Sequence, residues 1–408
     1  MSGTTNGPTM NQAGSRQILG RTDFSLVLGG PLFQVLRRAH LSDDALTLQR
    51  RRIVVISTLA WLPLLVLSAL GGRLLGGGVA VPFLLDVDVH VKFLVAMPLL
   101  IAAELVVHRR MRTLMRTLLD RQLVPAKAMG ALDDAIASAY RLRNSALVEL
   151  LLMIFVYVVG IAVLWRHYLS LDTATWYATP AMAGSSLTPA GIWYGYVSLP
   201  IFQFLLVRWY FRMFIWTRLL WKISRIPLNL VPTHPDRVGG LGFLAETVHA
   251  FIPLLMAHGA LLAGQIANQI FHLGATLTQF RLEILLLAIF MLLLTAGPLL
   301  VFSPQLAATR RVGLREYGTL AQRYVRDFDA KWVRGTAQAD DALLGTGDIQ
   351  SLADLGNSYE VLRGMRVIPV SKDAIFQLAA ATVAPILPLV LTLMPLEELL
   401  RKLFGILF

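Results

Sequence analysis

Seven runs of mainly apolar residues, at about 53–71, 91–107, 146–165, 192–215, 248–271, 283–303 and 376–394, are each close to the length that crosses a bilayer. Most are continuous rather than alternating, so they predict helices covered all round by lipid or by one another. The pattern therefore predicts an all-α fold, a polytopic membrane helix bundle of about seven spans. Polar stretches divide the chain further. Residues 1–30 predict a disordered tail and 31–304 the first six spans. A hairpin at 108–145 interrupts that bundle, broken by Pro125. Residues 305–375 predict a helical segment outside the membrane, with one helix from Leu314 to Trp332, a break at 343–348 and a second helix from Ile349 to Leu362. The last span, 376–395, contains Pro385 and Pro388, which remove backbone donors and predict a kink. Residues 396–408 predict an amphipathic surface helix beginning near Pro395.

Composition sharpens the picture. Charged residues make up 15% and mean hydropathy is +0.62, values of a chain dissolved largely in lipid. The net charge of +12 suggests nucleic acid until its placement is followed. Of 37 Lys and Arg residues, 29 fall in segments that seven crossings would put on one side; the opposite loops hold Arg73, Arg166 and Arg281, with Lys92 at a span edge. That bias places the N-terminus in the cytoplasm and sets the basic charge against lipid headgroups, with no nucleic-acid partner required. The expected location is a bacterial inner membrane, the expected partner the lipid bilayer. Trp165, Tyr168, Trp176, Trp193, Tyr194 and Tyr196 are expected as an outer aromatic belt. Trp209, Tyr210, Trp216 and Trp221 are expected as an inner one, with Arg208, Arg212 and Arg218 snorkelling beside them. Glu104 and Glu149 are expected to be neutralised by Arg109 or Arg143. The absence of cysteine excludes disulfides and thiolate chemistry.

Candidate chemistry is sparse. On the fifth span, Gln265, Gln269 and His272 lie within about 40° of His258 around a helix, a stripe about 21 Å long with Asn268 beside it. Such a stripe must face protein or water, as interhelical glue, a polar pathway or pocket, or a proton relay. The run LLDVDVHVK alternates, which predicts an extended segment with Asp86, Asp88, His90 and Lys92 on one side; the first three are weak candidates for a metal. In VPTHPDRVGGLGF, His234 and Asp236 stand beside Gly239 and Gly240. Proline and glycine there suffice for an elbow between spans, and an acid–base pair or a phosphate cradle are the functional alternatives. No nucleotide, metalloprotease or hydrolase motif is present, no catalytic residue is assigned and no cofactor is expected.

A chain near 400 residues with a cytoplasmic N-terminus, a long cytoplasmic link before the last span and a short C-terminal end resembles the seven-span ion channels of the insect olfactory and gustatory receptor superfamily. The resemblance is one of topology. That family's Thr-Tyr and Gln-Phe signature is absent, and Phe376–Gln377 and a Pro-x-x-Pro break stand in the last span instead. The resemblance implies a homotetramer with its seventh span lining a central pore, giving Gln377, Pro385, Pro388 and Thr392 as pore-lining candidates. The function expected first is a homo-oligomeric channel-like protein. A solute or proton-coupled transporter using the fifth-span stripe comes next, then a membrane enzyme on lipid-linked substrates or a sensor or scaffold. Ion and solute are unknown.

Overall fold

A computed structural model describes residues 24–38, 48–165, 174–181, 184–335 and 347–393. Most of the tail, the surface helix expected at 396–408, Pro395, Arg166, Tyr168 and most of the break at 343–348 lie outside the described residues. The chain forms α1 (Pro31–Arg38), α2 (Gln49–Leu70), α3 (Val87–Asp120) and α4 (Met129–Arg143). Helix α5 (Ala146–Phe155) continues as a π-helix through Val156–Trp165. A hairpin of β1 (Ala178–Ala181) and β2 (Gly184–Leu187) precedes α6 (Pro189–Ile223), α7 (Phe243–Leu273), α8 (Leu277–Val333), α9 (Gly347–Arg363) and α10 (Lys372–Thr392). Helices α2, α3, α6, α7, α8 and α10 are long and apolar enough to cross a membrane. A seventh crossing results if α4 and α5, bent by 47° at their junction, count as one span. The architecture is an all-α bundle.

Packing distinguishes an inner set from an outer one. Helix α7 packs on α3 and α10, and α6 packs on α3, α4, α5 and α8. Most large, fully buried helix side chains, among them Phe93, Met97, Trp209, Trp216 and Phe251, come from α3, α6 and α7, joined by Leu64 of α2 and Phe302 of α8. Helices α2, α5 and α8 bury one face and leave Leu59, Phe155 and Phe290 exposed, as lipid-facing helices do. Helices α3, α6 and α8, at 34, 35 and 57 residues, exceed the roughly 20 needed to cross, so they project beyond the apolar zone at the end rich in Arg and Lys. There α4 packs on α6, and α9 folds back on α8.

Three local expectations are corrected. The alternating LLDVDVHVK is helical, with a 3-10 turn at Phe83–Leu85 and α3 starting at Val87. The Asp86 carboxylate accepts the Val89 N–H at 3.3 Å, and Asn268 Oδ1 of α7 accepts the N–H groups of Val87 and Asp88 at 2.8 and 3.4 Å. The unpaired donors of a helix start thus find partners, and tertiary contact overrides the β preference of the valines. The aromatic belts are corrected in part: Trp176, Tyr194, Trp209 and Trp216 are core residues, whereas Tyr196 and Trp221 are exposed. Trp209 Nε1–H donates to the Leu100 carbonyl at 2.9 Å, a contact no belt residue would make.

The third concerns charge. Glu104 pairs with Arg52 of α2 and with Arg212 of α6, the latter at 2.7 Å. Arg208 lies 3.4 Å from Glu149, and Arg218 donates to Ser138 Oγ at 2.7 Å. Arg208 and Arg212 are buried and do not snorkel. The partners expected from sequence proximity, Arg109 and Arg143, are not those of Glu104 and Glu149. Arg143 instead donates to the Ser25 carbonyl at 2.6 Å.

Candidate functional site

A group of polar side chains gathers at the foot of α10, at the basic end of the bundle. The elbow Val231–Phe243 is closed by Asp236, whose carboxylate accepts the N–H groups of Val238, Gly240 and Gly242 at 2.9, 3.1 and 2.8 Å. Gly239 and Gly240 have φ of 66° and 97°, the left-handed region where a side chain is strained. Gly242 is right-handed, and its need for glycine is one of space, because a Cβ there would lie 2.9 Å from the Asp236 side chain. Burial alone would raise the Asp236 pKa; the three backbone donors and His234 outweigh it and hold the carboxyl below its usual value. His234 Nδ1 lies 3.2 Å from the Asp236 N–H and 2.9 Å from its carboxylate. Neutral, that nitrogen accepts the N–H; protonated, it pairs with the carboxylate.

Distant elements complete this site. Arg121 from the end of α3 donates to the Gly240 carbonyl at 3.0 Å, and the Arg366 N–H donates to the Arg237 carbonyl at 2.7 Å. Together with His234, Asp236, Glu246, His249 and Ser371, the two arginines line a cavity of about 390 Å³. His249 Nε2 is buried there without a hydrogen-bond partner among the described residues. Ser371 is the N-cap of α10, its hydroxyl accepting the Ala374 N–H at 3.0 Å, so the cavity touches the first turn of the last span. Arg121, Glu246, His249, Arg366 and Ser371 were not candidates from sequence. Glu246 and His249 share one face three residues apart beyond the elbow, a legible signal. Nothing along the chain joins Arg121 or Arg366 to it.

The shaft of α10 is regular from Lys372 to Val383 and becomes a 3-10 helix over Ala384–Leu393. Pro385 and Pro388 supply no N–H, so the ladder loses two donors within one turn. The Thr382 carbonyl oxygen presses on Gly259 of α7, where a methyl group would overlap it. Gln377, Pro388 and Thr392 are exposed and Pro385 partly so, while Ile386 and Leu389 pack against Ala263, Ile266 and Ala267 of α7. The Thr392 hydroxyl donates to the Leu389 carbonyl at 2.6 Å. Three of the four pore-lining candidates therefore share the outward side of the last span.

The fifth-span stripe divides into separate contacts. His258 is buried, its Nδ1 2.8 Å from the Leu254 carbonyl and its Nε2 2.8 Å from the Tyr210 hydroxyl. Gln265 is exposed and Gln269 partly buried. His272 Nε2 lies 2.9 Å from the Leu85 carbonyl, and Asn268 donates to Asp86 at 2.7 Å. Asp86 also accepts Trp176 Nε1–H at 2.8 Å, Asp88 pairs with Lys92 at 2.8 Å, and the Trp61 indole donates to His90 at 2.9 Å. Asp86, Asp88 and His90 are thus engaged by separate partners, Asn268 and Trp176, Lys92, and Trp61. Among the described residues no group of three His, Asp or Glu side chains is placed to hold a metal ion. This outer cluster fastens α3 to α2, α7 and the β-hairpin segment.

No protein-family model matches the chain, and neither does any curated protein or any solved structure.

Proposed function

We propose that the chain is one subunit of a homo-oligomeric, channel-like membrane protein whose last span faces a central axis. The observation that carries this reading is the outward side of α10. It presents Gln377, Pro388 and Thr392 along a helix whose distal half has lost two backbone donors. Polar groups and irregular backbone at membrane depth are stable against a water-filled cavity or a second polypeptide, and costly against lipid. The projecting part of α8 adds support, since Leu320, Val325 and Val333 are exposed beyond the apolar zone, where a second copy would cover them. With the basic end in the cytoplasm, the cavity lined by His234 and Ser371 sits at the cytoplasmic foot of that span. A small charged ligand bound there would act directly on α10. The transporter reading has less support, because His258 spends both ring nitrogens on Tyr210 and Leu254 rather than on an open path.

The chain has no cysteine, so a single Thr392→Cys substitution reports cleanly on the neighbours of the last span. The expected result is a disulfide-linked dimer in oxidised membranes, the one product a single thiol per subunit allows, together with ion currents from the purified protein in planar bilayers. Monomers only, with the oxidant effective on a control, or silence across voltage and pH, would sink the reading.

A further inference from the structure

Helices α2, α5 and α6 part to leave a cavity of about 250 Å³. Its wall is apolar, built by residues such as Leu59, Met153 and Phe204, and its floor is formed by Arg52, Glu104 and Arg208. Leu59 and Met153 are 47% and 44% exposed, so the mouth opens sideways out of the bundle at membrane depth. The floor lies at the basic end. Arg52 is the fourth residue of α2, and Leu59 stands about 10 Å further along the helix. The cleft is thus charged at the level of lipid headgroups and apolar at the level of lipid chains.

The charge at the floor does not balance. Arg52, Arg208 and Arg212 are opposed by Glu104 and Glu149, an excess of one cation among buried groups. Glu104 is committed to Arg52 and Arg212, whereas among the described residues Arg208 holds only long contacts, 3.4 Å to Glu149 and 3.5 Å to the Gly29 carbonyl. Arg212 Nη2 is buried with no hydrogen-bond partner among the described residues. A buried cation without full compensation is costly, and a planar guanidinium is the group best shaped for a phosphate. We infer that this cleft is a binding site for an anionic phospholipid, its phosphate on Arg208 and Arg52 and an acyl chain along the wall of α2, α5 and α6. The site stands whether or not the last span lines a pore.

The test uses the whole protein, stripped of lipid in neutral detergent. Native mass spectrometry and the thermal unfolding midpoint are recorded with phosphatidylglycerol, with phosphatidylcholine and with inorganic phosphate. Phosphatidylglycerol is expected to remain bound and raise the midpoint, and the other two are expected to do neither. Arg208→Gln should weaken phosphatidylglycerol binding about tenfold, the effect of losing a charge-assisted contact. Leu59→Trp, which fills the wall and leaves the floor intact, should weaken it as well; it decides the matter if Arg208→Gln does not fold. Equal binding of the two lipids, a shift reproduced by phosphate alone, or binding indifferent to filling the wall would overturn the proposal.

Discussion

Asp236 closes a loop by accepting three backbone N–H groups, a task that needs the ionised carboxylate. Its pKa lies below the ordinary 3.8. The stability it contributes is therefore complete above that ordinary value and is lost as pH falls through the depressed folded value. Asp236→Asn keeps the shape and removes the charge. It should cost about 1–2 kcal/mol at neutral pH, read as a lower thermal midpoint. The gap between wild type and variant should narrow as the medium is taken below about pH 4. A gap that stays constant to pH 3 would mean that the loop does not depend on the charge.

At the scale of elements, the close approach of α7 and α10 depends on a missing side chain. Gly259 lets the Thr382 carbonyl come against the α7 backbone, two residues before the helix changes to its 3-10 form at Ala384. A methyl group there would meet backbone, which cannot swing aside, so Gly259→Ala should cost about 1–3 kcal/mol through overpacking. It should also raise hydrogen exchange over α10. Gly130 in α4 has open space around it. Gly130→Ala should be neutral or stabilising by up to about 1 kcal/mol. Equal effects of the two substitutions, measured by unfolding in mixed micelles, would refute the argument from close approach.

At the scale of the whole molecule, one buried carboxylate joins three helices. Glu104 of α3 binds Arg52 of α2 and Arg212 of α6, while Glu149 of α5 stands against Arg208. Removing Glu104 alone leaves two arginines buried and uncompensated. Glu104→Gln should thus cost about 3–5 kcal/mol, whereas the triple change Arg52→Met, Glu104→Leu, Arg212→Met should recover most of that loss. The comparison is read from denaturant midpoints. A triple variant as weak as the single one would show that packing of the arginine stems, rather than charge, holds the helices together.

The amino-acid sequence by itself determined the class of fold, because lipid imposes one requirement on every crossing segment: a long apolar run whose backbone bonds are satisfied within itself. That requirement is local, so it is legible from 53–71 to 376–394 without knowing which helix touches which. The elbow at His234 and Asp236 was legible for the same reason, since a turn closed by its own aspartate and glycines is settled within ten residues or so. Partnership was not legible. Glu104 lies five residues from Arg109 and is bound by Arg52 and Arg212, 52 and 108 positions away; Trp176 reads as a surface aromatic and is a core residue held by Asp86. The valines and aspartates of 86–91 alternate like a strand, yet form a helix because Asn268 of α7 caps its start. Only the tertiary structure decided these, since a buried charge or an open helix end is satisfied by whatever group the packing of distant helices brings within about 3 Å, and that distance is not written along the chain.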